Sequence, residues 1–171
     1  DVVEPLLAML NMQPESIPLI CETLGSIGDS RAVEPLIRIA GDTQGRSPLT
    51  AVQALGKLKD KRAYDVLVSA LQSSNEQMCV AAADALGELG DSRAVPELIK
   101  LLEKGTDEHT RIITAASLGK LKDPAAVPVL QATLKSNGKQ AREVAAKALG
   151  QIGNSQAQNL LISALRTDSE P

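Results

Sequence analysis

Apolar residues along this chain recur in two alternating helical registers. In the first, Val33, Leu36, Ile37 and Ala40 follow the spacing of one helix face, and Val95, Leu98, Ile99 and Leu102 repeat it later. In the second, "AREVAAKALGQIGN" (141–154) puts Val144, Ala145, Ala148, Leu149 and Ile152 on one face. Polar, turn-like segments separate the registers at 11–16, 41–47, 72–77, 104–109 and 135–140. Turns at that spacing leave no room for strands, so the pattern predicts helices in pairs.

The pairs repeat. Leu-Gly occurs at Leu24-Gly25, Leu55-Gly56, Leu86-Gly87, Leu118-Gly119 and Leu149-Gly150, a nearly constant period of about 31 residues. A fixed period of this length means stacked units, each burying its apolar face only against its neighbours. The expected fold is all-α, a right-handed α-solenoid (an α-α superhelix) of about five two-helix repeats. The units fall at 1–28, 29–59, 60–90, 91–122 and 123–153, with a partial unit at 154–171, in one array expected to be a segment of a longer chain.

Local signals place the helix ends. Asp29, Asp60, Asp91, Asp123 and Asn154 each stand where a side chain can cap the amides of a first helix. Gly28, Gly90 and Gly153 stand where a second helix must stop. Pro5, Pro35, Pro96 and Pro128 lie inside first helices, and an interior proline predicts a bend costing roughly 3 kcal/mol.

Composition narrows what fills the core. Of the 171 residues 43% are apolar, yet there is no Phe or Trp and a single Tyr, Tyr64. The interior must therefore be Ala, Leu, Val and Ile between closely approaching backbones. A net charge of −3, with both signs mixed along the chain, argues against nucleic acid as a partner. Cys21 and Cys79 lie far apart in the chain with no C-x-x-C spacing at either, and they read as small buried fillers. No run reaches the roughly 18 apolar residues of a membrane span, and no signal peptide is evident, so no membrane insertion and a cytoplasmic location are the default expectations.

Little in the chain suggests catalysis. The lone histidine, His109, has only Asp107 and Glu108 as neighbours of ligand type, which reads as a solvated turn and not a metal site. The "LGxxG" matches follow helices, not strands, so none is a phosphate loop. No cofactor is expected.

"GDSRAVEPLI" followed by a helix ending in "ALG" resembles the HEAT-like repeats of the phycobilisome-lyase class over the whole chain. The resemblance implies the solenoid fold. Its members include bilin lyases, chaperone-like factors of light harvesting, iron–sulfur assembly helpers and scaffolds. Members usually carry an arginine shortly before the Leu-Gly pair in the second helix, matched here by Arg111 and Arg142 but replaced by Ile17, Pro48 and Cys79 in the earlier units. Deoxyhypusine hydroxylases, a related group, place His-Glu pairs on several helices, and this chain has none.

If the residues named in "AREVAAKALGQIGN" define the buried face, the position seven before each glycine points outward. It holds Pro18, Leu49, Val80, Ile112 and Glu143, and a second row one turn further on holds Cys21, Val52, Ala83, Ala115 and Ala146. Together these rows form an expected apolar ridge, flanked by Glu22, Gln53, Asp84 and Lys147 and by Lys57, Glu88, Lys120 and Gln151. Shifting the face by one position instead makes Leu49, Val80 and Ile112 core residues. The ridge reading predicts a protein-binding scaffold whose partner is another protein, in its simplest form an amphipathic helix. The alternative is a component of a bilin lyase or bilin-protein chaperone. A bilin is the less favoured occupant, because the only aromatic, Tyr64, lies on a first helix.

Overall fold

A computed structural model describes residues 2–12, 14–42, 47–104, 107–136 and 138–167. The turns expected around 13, 43–46, 105–106 and 137, and the end of the partial unit at 168–171, lie outside the described residues. The chain divides into two compact units, Asp1–Asp91 and Ser92–Pro171. Every regular element among the described residues is helical.

The first unit contains α1 (Val3–Met12), α2 (Ile17–Ile27), α3 (Val33–Gly41), α4 (Pro48–Leu58), α5 (Tyr64–Leu71) and α6 (Glu76–Leu89). The odd-numbered helices are the first helices of the repeats and the even-numbered ones the second. Each second helix packs on its own first helix, while α2 packs on α4 and α4 on α6. The second unit contains α7 (Val95–Glu103), α8 (Glu108–Leu121), α9 (Val127–Leu134), α10 (Lys139–Ile152) and α11 (Ser155–Thr167). There α7 packs on α8, α9 on α10, α8 on α10, and α11 on α10 and α9.

The first helices start differently from the expectation. The cap residue opens a short 3-10 turn, and the α-helix begins only after it: Ser30–Ala32 precedes α3, Lys61–Ala63 precedes α5, Ser92–Ala94 precedes α7, and Pro124–Ala126 precedes α9. Asp29, Asp60 and Asp123 accept from the amides of Arg31, Arg62 and Ala125, which closes the tighter turn. Asn154 caps α11 at Ala157. Pro35, Pro96 and Pro128 consequently fall in the first turn of their α-helices, not the interior, and Pro5 stands in the first turn of α1 as well. Amide groups there have no partner within the helix, so the expected bending cost does not arise.

In each unit the core is made of the same repeated positions. Leu24, Leu55, Leu86, Leu118 and Leu149 on the second helices are fully buried, as are Leu36, Leu67, Leu98 and Leu130 on the first. The alanine closing each 3-10 turn, Ala32, Ala63, Ala94 and Ala126, is fully buried too. Neighbouring second helices meet at the Leu-Gly glycine. A β-carbon on Gly25 would lie 2.8 Å from the Cα of Ala54, one on Gly56 2.7 Å from that of Ala85, and one on Gly119 2.8 Å from that of Ala148. Real β-carbons do not approach a backbone so closely, so only glycine permits these crossings.

Helix stops follow one geometry with two residue types. Gly28, Gly90 and Gly153 adopt left-handed conformations, with φ of 79°, 69° and 65°. At the corresponding places after α4 and α8 stand Lys59 and Lys122, at φ 54° and 55°. The turn is thus imposed by the repeat even where the residue does not favour it.

Candidate functional site

The second helices set the geometry of the candidate face. Each is flanked by its own first helix and by neighbouring second helices, so burial wraps around more of its circumference than a two-layer amphipathic pattern implies. This overturns half of the expected ridge. Cys21 and Val52 are fully buried, as are Ala83 and Ala115, and none of them offers surface to a partner. Ala146, on α10, is half-buried. Burial raises the thiol pKa of Cys21 above its usual value. Cys79 is buried as well and donates to the carbonyl of Leu71.

The other half of the ridge lies at the surface. Pro18 and Glu143 are exposed, and Leu49, Val80 and Ile112 are half-buried. Their polar neighbours Glu22, Gln53, Asp84, Lys147, Lys57, Lys120 and Gln151 are exposed, and Glu88 is half-buried. Within the first unit these positions form stripes along the helices, with members one helical turn apart: Pro18 and Glu22 on α2, Leu49, Gln53 and Lys57 on α4, and Glu76, Val80, Asp84 and Glu88 on α6. Glu88 also receives an ion pair from Lys59 at 2.9 Å, tying the end of α4 to α6.

Charges mixed along the sequence sort by unit in the fold. Second helices of the first unit carry Glu22, Glu76, Asp84 and Glu88 against the single cation Lys57. Those of the second unit carry Arg111, Lys120, Lys139, Arg142 and Lys147 against Glu108 and Glu143. Arg142, one of the two arginines matched to the family pattern, donates to the carbonyl of Ser136 at 3.0 Å. It therefore holds the turn that leads into its own helix. His109 is exposed in the first turn of α8. Asp107 caps that helix by accepting from the Thr110 hydroxyl and amide, which holds its carboxyl below the ordinary value.

One polar device escaped the reading of the sequence. Arg31 pairs with Asp29 at 2.7 Å and with Glu4 of the preceding repeat at 3.0 Å. Arg62 pairs with Asp60 at 2.8 Å and with Glu34 at 3.5 Å, and it donates to the carbonyl of Ser30. The signal was present as Asp-x-Arg at 29–31 and 60–62, with Glu4 and Glu34 each standing just under one repeat earlier. These pairs are exposed, and they serve to register one repeat on the next.

Comparison with known proteins places this architecture. A family model described as HEAT repeats matches residues 3–79, 48–115, 67–147 and 95–171. The chain belongs to the HEAT-repeat family. Among solved structures, this HEAT-repeat chain is similar to one from the complex of CpcE and CpcF of phycocyanin lyase from Nostoc sp. PCC7120. That match has 26% identity and a TM-score of 0.77, and it covers 96% of this chain and 70% of that one. An engineered protein is similar at 21% identity and a TM-score of 0.68, covering 98% and 87%. A designed armadillo repeat protein in complex with the peptide (KR)4 is similar at 18% identity and a TM-score of 0.65, covering 98% and 90%. The last two show shared fold alone: an all-α solenoid of HEAT-like repeats. No curated protein matches the sequence significantly. No described helix is long and apolar enough to cross a membrane.

Proposed function

We propose that this HEAT-repeat chain is a non-catalytic scaffold that binds another protein through the outward face of its second helices, within one array of the five units and partial sixth read from the sequence. The observation that carries the proposal is the apolar row on three helices packed in order: Pro18 on α2, Leu49 on α4 and Val80 on α6. Ile112 holds the same repeat position on α8. Apolar side chains recurring on an accessible face at one repeat position favour a contact surface over chance exposure. Covering such side chains contributes on the order of 1.5–3 kcal/mol each when burial is complete, and less from half-buried starting points. With association costs set against that, the row supports micromolar binding.

The test is capture from a lysate with the parent chain and with Leu49→Asp/Val80→Asp. The variant is expected to melt within a few degrees of the parent, because neither side chain is fully buried, and to lose a protein that the parent retains. Identical captured proteins from two folded chains would end the proposal.

A second reading is favoured by the similarity to the phycocyanin lyase complex: a component of a bilin lyase or bilin-protein chaperone. Its partner would be a bilin-carrying protein, and the basic side chains Lys120 and Lys147 would suit bilin propionates. Coloured captured protein, with absorption in the visible range, would promote this reading over the general scaffold.

A further inference from the structure

The charge around the apolar row specifies the partner further. On α6, Val80 is bracketed one turn to either side by Glu76 and Asp84, and on α2 Glu22 lies one turn beyond Pro18. All three carboxylates are on exposed residues. The 3-10 turn before α2 adds the exposed Glu15. Lys57 is the only cation on the three second helices, and it lies two turns from Leu49. The row is thus apolar along its length, with carboxylates beside it on the outer two helices, α2 and α6, and the neutral Gln53 followed by Lys57 on α4 between them.

Resting on the proposed protein-binding face, we propose that the occupant of this part of it is a basic amphipathic helix, laid across α2, α4 and α6 with leucine-type residues on the row and lysines or arginines on both flanks. Packed helices stand about 8–10 Å apart, and a helix rises about 1.5 Å per residue. Side chains two turns apart on the partner therefore reach successive members of the row. Complementary charge selects among helices that have the same apolar stripe, because a like-charged flank is repelled.

The experiment titrates the chain with three synthetic peptides of about 20 residues, long enough to cross three helices. One has a leucine stripe with lysine flanks, one has the same stripe with glutamate flanks, and one has the lysine composition scrambled to destroy the stripe. Binding is measured at low and at physiological salt on the parent, on Glu22→Lys/Asp84→Lys and on Leu49→Asp/Val80→Asp, each verified to fold by its thermal melt. The lysine-flanked helix is expected to bind best. Reversing the two carboxylates is expected to weaken it on the order of tenfold at low salt and less at physiological salt, where screening is stronger. Equal binding of both striped peptides, or a preference for the glutamate one, that is lost in Leu49→Asp/Val80→Asp would overturn the charge assignment while leaving the binding face standing. Equal binding of the scrambled peptide, or binding indifferent to Leu49→Asp/Val80→Asp, would remove the apolar row from the contact and so overturn the proposal. No binding by any peptide would count against the face itself.

Discussion

At the scale of single residues, the same dipeptide does different work in different units. Gly56 is held against the backbone of Ala85, whereas a β-carbon on Gly150 would meet nothing within 4 Å. Gly56→Ala should therefore push α4 and α6 apart and destabilise the chain by about 1–3 kcal/mol. Gly150→Ala should stabilise it by about 0.5–1 kcal/mol, since alanine restricts the unfolded chain and favours the helix. Thermal melts of the two variants check this: the first transition should move down and the second up, by a few degrees each. Lys122 offers a converse case. It is held at φ 55°, where a β-carbon is crowded. Lys122→Gly is expected to raise stability by about 0.5–1 kcal/mol, measured as a higher midpoint in urea.

At the scale of elements, the cap and its turn couple to acidity. The Arg31 side chain and amide beside Asp29 hold that carboxyl down at about 2, and Arg62 lowers Asp60 in the same way. A carboxylate depressed in the folded state contributes stability that is complete above its unfolded pKa and is lost as pH falls through the folded value. Melting temperature should thus decline as pH drops from about 4 towards 2. Asp29→Asn should show a shallower decline across that window, because its side chain no longer titrates. A parallel decline in the two chains would remove Asp29 as a source of the acid sensitivity.

The helix pairs, the caps and the repeated buried leucines were legible in the sequence, because each rests on spacing within one repeat. The 3-10 openings were not, since Asp followed two residues later by a donor amide looks the same before either kind of helix. Cys21 and Cys79 are buried as their isolation in the sequence implied, but the burial of Val52, Ala83 and Ala115 was not legible. A helical wheel describes one helix against one surface, and these side chains are covered by more than one neighbour. Leu49 and Val80 were placed correctly at the surface only in part, as half-buried side chains, for the same reason.

At the scale of the whole molecule, every strong contact among the described residues joins a helix to its partner in the same repeat or to a helix of the adjacent one. The glycine of one second helix meets the alanine of the next, and the arginine of one turn reaches the glutamate of the previous repeat. The proposed face is built by the same rule, one surface position per unit. A duplicated unit would bring its own glycine and its own alanine, and both new seams would fit without any compensating change. The chain is thus suited to grow or shrink by recombination in whole-repeat steps, each step adding or removing one contact position and leaving those already in use undisturbed.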